Sequence, residues 1–320
     1  MRVVVTGGSG RLGQSVVTAL TAAGHEALSV DRAAVDRLSC RQAQIDLRDL
    51  AATKELFTSF APDAVVHLAA IAVPFSAPED VILATNTQLA YSVFDAAVAA
   101  GARAVLAASS PTVLGYGSPT GWTARSLPLD EDAPRLPWNA YALSKQLIED
   151  MIGMFVRRVG DGVRFGSFRP CFVISPEEWA GAPTQQGHTL EERLADPALA
   201  AVSLFNYLDA RDAGEFVVAW LETKRPVPNG TGFFVGASDA LAVKPVAQLW
   251  REYAPQLGES ASALTGTEPV FSSSRAERLL GWRPRRSWRT ELPADAVARL
   301  TGASAPESTP EPNRIEPHDV

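Results

Sequence analysis

The sequence predicts an α/β fold in which a doubly wound parallel sheet is joined to a smaller C-terminal lobe. Short apolar runs alternate with helix-length segments, and the first run leads directly into a glycine-rich turn. Strands that alternate with helices form parallel sheets, because each parallel connection has to cross over one face of the sheet. A chain of 320 residues is long enough for such a sheet and one further lobe.

The elements of this fold follow from two periodicities. Short apolar runs bounded by turn residues predict strands, and apolar residues at helical spacing predict helices. The predicted strands are Arg2–Val5, Ala27–Val30, Ala64–Leu68, Ala104–Ala108, Val163–Phe168 and Gly232–Val235. The predicted helices are one that ends before Gly24, then Asn86–Ala100, Trp138–Val159, Ala213–Leu221 and Val246–Tyr253.

The composition argues against several classes of protein. A formal net charge of -7 disfavours a general nucleic-acid surface, which needs a basic face for phosphates. No apolar run approaches the roughly 20 residues that cross a bilayer, and no signal peptide opens the chain. Cys40 and Cys171 fit neither a structural disulfide nor a paired metal site. We therefore expect a cytoplasmic protein with no metal, no nucleic-acid partner and no membrane contact.

The turn after the first strand has the composition of a dinucleotide-binding site. Gly7, Gly10 and Gly13 stand between that strand and a helix. Backbone N–H groups and the positive end of the helix dipole meet there, which suits a pyrophosphate. The first glycine permits the turn, the second lets a phosphate approach, and the third lets the helix pack closely on the strand. A tight turn without a ligand is the alternative, which the position at the first strand disfavours.

Asp31 closes the second strand, at the distance from the glycines expected of an acid that binds ribose hydroxyls. A carboxylate there repels a 2′-phosphate, so NAD is favoured over NADP. Arg32 complicates this, because a guanidinium could pair with that phosphate or stack on adenine. Asp31 could also be an ordinary turn residue or a helix cap.

Tyr141 and Lys145 stand one helical turn apart, in Tyr-Ala-Leu-Ser-Lys. A fixed positive charge favours phenolate, so Lys145 is expected to lower the pKa of Tyr141, which is near 10 when unperturbed. Tyr141 could then exchange a proton with a substrate hydroxyl. Taken alone, the pair also fits an ordinary helix surface, where residues at this spacing are neighbours.

In this order, the motifs resemble the extended short-chain dehydrogenase/reductase family, which includes NAD-dependent sugar epimerases and dehydratases. Thr6-Gly-Gly-Ser-Gly-Arg-Leu-Gly13 resembles the family's glycine motif, and Tyr141 with Lys145 resembles its YxxxK. The resemblance runs from Met1 to about Arg289. It implies a Rossmann fold, and a homodimer formed through the helices Asn86–Ala100 and Tyr141–Val156.

The resemblance also implies the site residues. Ser110 would hold the substrate oxygen while Tyr141 exchanges its proton, and Asn86 takes the place of an asparagine that organises the active site. The implied catalytic set is Ser110, Tyr141, Lys145 and Asn86. The implied cofactor set is Gly7, Ser9, Gly10, Arg11, Leu12, Gly13, Asp31, Arg32, Asp46, Leu47, Leu68, Ala69, Ala70, Asn86, Tyr141, Lys145 and Pro170. The implied substrate set is Ser110, Thr112, Tyr141, Arg169 and Phe172.

Departures from the family's pattern bear on the substrate. Pro111 and Thr112 stand where dehydratases carry an Asp-Glu pair, which disfavours a sugar 4,6-dehydratase. The segment 171–173 reads Cys-Phe-Val where many nucleotide-sugar epimerases have an asparagine. The stretch from there to Asp209 is also shorter than their nucleotide-binding insert. A smaller or less phosphorylated substrate is therefore expected.

Side chains near these departures are assigned to structure rather than to the site. Trp122 and Trp138 flank an extra stretch before Tyr141 and could wall a sugar face, although core packing is the expected role. Between Ser175 and Pro197, where a cap or loop over the site is expected, most of five residues are expected to be loop surface: Trp179, Gln185, Gln186, His188 and Arg193.

The sequence thus predicts an NAD-dependent oxidoreductase that transfers a hydride between nicotinamide and a secondary alcohol or carbonyl carbon of a sugar-like small molecule. Tyr141 is its expected acid and base. A redox-neutral, NAD-dependent (nucleotide-)sugar epimerase is the first alternative. A catalytically inactive NAD(P)-sensing binding protein is the second, and the retained Ser110, Tyr141 and Lys145 argue against it.

The predicted organisation has a cofactor domain, a substrate lobe and a tail. The domain carries the glycine turn, and the tail lacks apolar anchors and is expected to be disordered. A stretch rich in Pro, Gly, Gln and acids should cap the site. The predicted boundaries are 1–170 for the NAD-binding domain, with elements from 201–236 returning to it, 171–200 and 237–300 for the lobe, and 301–320 for the tail.

Overall fold

The computed structural model describes residues 1–253 and 260–302. The strands are β1 (Arg2–Thr6), β2 (Glu26–Asp31), β3 (Arg41–Gln44), β4 (Ala64–His67), β5 (Ala104–Ala108), β6 (Arg164–Pro170), β7 (Phe172–Ile174), β8 (Tyr207–Asp209) and β9 (Thr231–Val235). The helices are α1 (Arg11–Ala22), α2 (Leu50–Phe60), α3 (Glu79–Ala99), α4 (Ala140–Val159), α5 (Pro176–Trp179), α6 (Leu190–Ala195), α7 (Ala198–Ala201), α8 (Ala210–Glu222), α9 (Val246–Tyr253), α10 (Ser274–Leu280), α11 (Trp288–Glu291) and α12 (Ala294–Thr301).

A seven-stranded sheet in the order β3-β2-β1-β4-β5-β6-β9 forms the centre, and every neighbouring pair in it is parallel. Alternate residues of β1 point to opposite faces. Val3 and Val5 join an apolar cluster with α1 and α8, whereas Val4 joins another with α2, α3 and α4. Helices thus cover both faces, which confirms the predicted doubly wound fold. The strands β7 and β8 form a separate parallel pair.

The strand order reverses its direction at β1, and this point locates the expected ligand site. The sheet order runs outward from β1 in both directions, toward β2 on one side and β4 on the other. In such open parallel sheets, ligands bind beyond the carboxyl ends of the strands at this switch point. The segments that follow β1, β2, β4, β5 and β6 therefore converge on one edge.

The structure adds elements that the sequence pattern did not predict. The edge strand β3 reads Arg-Gln-Ala-Gln and has no apolar run to mark it. The helix α3 begins at Glu79, seven residues before the predicted start, and Pro78 precedes acidic residues in its first turn. The segment 171–206, which we call the cap, contains the short helices α5, α6 and α7.

Two further predictions concern the C-terminal tail and the absence of membrane contact. The predicted tail from residue 301 lies outside the described residues beyond Gly302, and α12 runs to Thr301. Among residues 1–253 and 260–302, no helix has both the length and the apolar character needed to cross a membrane.

Candidate active site

The glycine turn after β1 is built by two glycines that no other residue could replace without strain. Gly7 has a φ of 73°, and a Cβ added to it would lie 2.7 Å from the backbone nitrogen of Ala69. A Cβ on Gly13 would lie 2.1 Å from the carbonyl oxygen of Gly7. The start of α1 therefore packs directly on the turn, and its free N–H groups face the edge of the sheet.

A cleft of about 910 Å³ runs from this turn to Tyr141. Most of the cofactor residues expected from the sequence line it: Gly7, Gly10, Arg11, Leu12, Gly13, Asp31, Arg32, Asp46, Leu47, Leu68, Ala69, Ala70, Tyr141, Lys145 and Pro170. Ser9 and Asn86 are not among the lining residues. Ser9 instead donates its backbone N–H to Asp31, over 3.1 Å.

The acids at the adenosine end of the cleft are held in place by local hydrogen bonds. The carboxylate of Asp31 accepts from the backbone N–H groups of Ser9 and Arg32, the latter over 2.7 Å. Asp46 pairs with the guanidinium of Arg48, which lowers the pKa of Asp46 to about 2. Asp46 therefore remains charged at neutral pH next to the cleft.

Tyr141, Ser110 and Lys145 meet at the other end of the cleft. Ser110 follows β5 and lies near enough to the phenol of Tyr141 to lower its pKa. Ser110 also accepts from the hydroxyl of Thr112, over 2.9 Å. Lys145 lies 5.7 Å from the centre of the Tyr141 ring and donates to the carbonyl of Ala108, over 3.0 Å. The end of β5 and the first turns of α4 thus supply all three groups.

Burial shifts the pKa values of Tyr141 and Lys145 in opposite directions. It raises the pKa of Tyr141 to about 12, although Ser110 acts in the opposite direction. It lowers the pKa of Lys145 to about 8. Lys145 was expected to bring the pKa of Tyr141 below 10, and this expectation is not met. Removal of the phenol from water disfavours phenolate more strongly than the charge of Lys145 favours it.

Asn86 lies behind the wall of the cleft and does not line it. Its side-chain oxygen accepts from the backbone N–H of Ile71 over 2.8 Å, and its nitrogen donates to the hydroxyl of Ser144 over 3.0 Å. Ser144 in turn donates to the carbonyl of Tyr141, over 2.7 Å. Asn86 is fully buried, and it joins the segment after β4 to the start of α4. Its geometry is that of a residue that positions Tyr141.

Arg169 points away from the cleft, although the resemblance places it in the substrate set. Its guanidinium donates to both carboxylate oxygens of Glu149, over 2.8 and 2.9 Å. Glu149 also accepts from the hydroxyl of Ser109, over 2.6 Å. Burial raises the pKa of Glu149, but Arg169 outweighs burial and the net shift is downward. This buried pair joins α4 to the ends of β5 and β6.

Trp138 and Phe75 form the mouth of the substrate end. Trp138 is 39% exposed and lines the cleft, which corrects the expected core role. Its indole nitrogen donates to the carbonyl of Tyr116, over 3.2 Å. Phe75, whose ring centre lies 5.6 Å from that of Trp138, carried no sequence signal. Trp122 packs against the core as expected.

The cap forms one ion pair with the start of α1 and another with the loop after β2. Arg11 donates to the buried carboxylate of Glu178, and Arg37, from the loop after β2, donates to Glu177. Trp179 is buried and donates to Asp209, over 2.7 Å. Arg193 is fully buried as well, so Trp179 and Arg193 are exceptions to the loop surface expected for most of the five residues. Gln185 and Gln186 line the cleft.

Taken together, the fold and the site define an NAD-dependent enzyme of the extended short-chain dehydrogenase/reductase type. The chain belongs to the NAD-dependent epimerase/dehydratase family, whose model matches residues 3–236. The glycine turn, the placement of Asp31 and the size of the cleft fit NAD, which is the family's cofactor.

Curated relatives are UDP-glucose 4-epimerases. That of Azospirillum brasilense is 33% identical over 158 residues, which cover 47% of this chain and 43% of that protein. The chain thus spans less than half the length of this relative. That of Corynebacterium glutamicum is 25% identical over 324 aligned positions, which cover 93% of this chain and 95% of that protein.

Solved structures share the fold. The UDP-glucose-4-epimerase of Stenotrophomonas maltophila, with bound NAD and formylated UDP-arabinopyranose, superimposes with a TM-score of 0.68 at 18% identity, over 95% of this chain and 97% of that one. WbmG of Bordetella bronchiseptica, in complex with NAD, superimposes with a TM-score of 0.63 at 22% identity, over 95% of this chain and 96% of that one. These likenesses concern the fold.

Proposed function

We propose that this protein is an NAD-dependent epimerase, which inverts a carbon that bears a hydroxyl group in a sugar-like substrate. The observation that carries the proposal is the meeting of Ser110, Tyr141 and Lys145 at one end of a cleft whose other end is the glycine turn. The names of the curated relatives favour this redox-neutral alternative over the net oxidation or reduction that the sequence suggested first.

Bound NAD would supply the hydride acceptor and, in the return step, the hydride donor. The chain's own residues handle the proton. Tyr141 takes the proton of the substrate hydroxyl as the carbon is oxidised and gives it back as the carbon is reduced from the other face. Ser110 donates a hydrogen bond to the same oxygen as negative charge develops on it. Lys145, still largely protonated at pH 7, provides a positive charge that acts against the effect of burial and towards the phenolate form of Tyr141.

A deuterium experiment tests the reaction type. NAD-loaded protein is incubated with a sugar substrate deuterated at the inverted carbon, and the products are followed by NMR. An epimerase returns the label to the same carbon in the product, without accumulation of NADH at 340 nm. Release of NADH in proportion to turnover would show a net dehydrogenase and overturn the proposal.

Tyr141→Phe tests the proton-transfer role. Loss of the hydroxyl should lower kcat at least 100-fold, because general acid–base catalysis contributes roughly 10²–10⁴. NAD binding, followed by tryptophan fluorescence, should change little. Tyr253→Phe, on α9, removes a hydroxyl outside the cleft and serves as the matched control. Equal activity of Tyr141→Phe and wild type would remove Tyr141 from the mechanism.

We propose a homodimer that pairs the exposed faces of α3 and α4. These faces present apolar side chains to solvent, among them Tyr91 at 42% and Met154 at 37% exposure. Light scattering after size exclusion should give about twice 34.1 kDa. Tyr91→Glu should shift the protein toward the monomer, because it places a charge in the buried surface. A monomeric wild type at micromolar concentration would contradict the proposal.

A further inference from the structure

The charged side chains that line the cleft are unevenly distributed. Five lie at the adenosine and pyrophosphate end: Arg11, Asp31, Arg32, Asp46 and Arg48. At the substrate end, Lys145 is the single charged side chain among the described lining residues, and it bonds the carbonyl of Ala108.

Two buried arginines near the substrate end lie outside the lining of the cleft. Arg193 is fully buried, and its guanidinium lies over the ring of Phe172, 4.4 Å from the ring centre. Its Nη1 donates to Gln186 and the charge of Glu178 attracts it, whereas its Nε and Nη2 have no hydrogen-bond partner among the described residues. Arg169 forms the buried pair with Glu149. Neither guanidinium lines the cleft.

The outer wall of the substrate end is apolar. Phe75 is 60% exposed, Val202 is 61% exposed, and both line the cleft with Val73 and Trp138. Phe75 has a φ of 62°, a conformation that costs a non-glycine residue free energy. A large aromatic side chain thus stands strained and half in solvent beside a second aromatic ring. Such exposed aromatic pairs mark binding surfaces.

We propose that the substrate is an uncharged glycoside with an aromatic or aliphatic aglycone, bound with the aglycone against Phe75 and Trp138. This inference rests on the proposed epimerase activity. A nucleoside diphosphate would bring two negative charges out of water against the outer wall, where the described lining residues Val73, Phe75, Trp138 and Val202 carry no charge, and burial of an unpaired charge is strongly unfavourable. An apolar aglycone instead removes exposed aromatic surface from water.

Binding to NAD-loaded Tyr141→Phe, which prevents turnover, tests the substrate class. The probes are the phenyl and methyl β-glycosides of glucose and galactose, and UDP-glucose with UDP-galactose. Calorimetry should show at least one phenyl glycoside binding about tenfold more tightly than its methyl counterpart, as expected for one aromatic contact. Trp138→Ala should remove that difference. Tighter binding of either UDP-sugar, or no binding of any neutral glycoside, would overturn the proposal.

A gain of charge provides the reverse test. Val202→Arg places a guanidinium on the apolar wall and should raise the affinity for UDP at least tenfold, because it supplies the missing counter-charge. Tight UDP binding by the wild type, unchanged in the variant, would contradict the inference.

The outcomes also separate the substrate class from the reaction. Epimerisation of a UDP-sugar would overturn the glycoside inference and leave the proposed function standing. Conversely, phenyl glycoside binding that depends on Trp138, with NADH released by the wild type on that ligand, would overturn the epimerase and support the substrate class.

Discussion

Asp31 is the side chain that the sequence links to the choice between NAD and NADP. Its carboxylate is fixed by two backbone N–H groups at the end of β2 and faces the adenosine end of the cleft. Asp31→Ser should weaken NAD binding at least tenfold, since a ribose partner is lost, and should weaken NADP binding less, since repulsion of the 2′-phosphate is also lost. Fluorescence titration with both cofactors measures the ratio. Asp36→Asn, an exposed acid outside the cleft, is the control, and an unchanged ratio would contradict the role.

Glu149 and Arg169 show how residues outside the cleft support it. Glu149→Gln removes the carboxylate that pairs with the buried guanidinium of Arg169 and should lower the free energy of unfolding by about 3 kcal/mol. The neighbouring Asp150 pairs with Arg135 near the surface, so Asp150→Asn should cost less than about 1 kcal/mol. Urea unfolding of the two variants checks this contrast. Equal losses of free energy of unfolding would show that the buried pair stabilises the protein no more than the exposed pair.

The sequence was informative about the residues that carry chemistry and less so about the residues that surround them. Ser110, Tyr141 and Lys145 stand in motifs with fixed spacing, so their order along the chain was enough to bring them together. The direction in which a side chain points has no such spacing. Arg169 therefore faces Glu149 instead of the cleft, and Phe75 and Trp138, isolated aromatics in loops, form its mouth.

At the scale of elements, the close packing of α1 on the glycine turn is the most constrained contact. Gly13→Ala forces a methyl group against the carbonyl of Gly7, so that α1 must move away from β1. Overpacking of this kind costs roughly 1–3 kcal/mol, and here it should also abolish NAD binding because the N–H groups of α1 move with it. Thermal unfolding with and without NAD measures both effects. Gly162→Ala, where a Cβ has open space, is the matched control.

The central strands could be predicted because their burial leaves a continuous apolar run, as in β5, where every residue is buried. The edge strand β3 pairs with a single neighbour and exposes Arg41 and Gln44, so its sequence carries no such run. The short helices of the cap depend on contacts with β8 and the glycine turn. Contacts between segments distant in sequence leave no local pattern, and the cap was therefore predicted only as a region.

Across the whole molecule, His67 links stability to pH. Burial and the charge of Lys145 lower the pKa of His67 to about 3, whereas its ordinary value is 6.5. Between these values the unfolded chain binds more protons than the folded one, so the free energy of unfolding falls as the pH falls. Between pH 7 and pH 4.5 the loss from this residue should be about 2–3 kcal/mol.

His67→Asn removes the titration while it retains a hydrogen-bonding atom near Thr6, which contacts Nδ1 of His67 over 2.8 Å. Urea unfolding at both pH values should therefore show a smaller acid loss in this variant than in wild type. His188→Asn, in the cap, controls for the loss of a histidine elsewhere. The same acid loss in all three proteins would contradict the assignment.

The ion pair between Arg11 and Glu178 has a thermodynamic consequence for the two ligands. Arg11 belongs to the turn that faces the pyrophosphate, and Glu178 belongs to the cap. A cofactor that fixes Arg11 would also restrain α5, and linkage would make the effect mutual. A substrate that holds the cap in place would then raise the affinity for NAD by the same factor as NAD raises the affinity for substrate. We therefore expect the two halves of the cleft to bind their ligands cooperatively, with NAD held most tightly while the substrate is present.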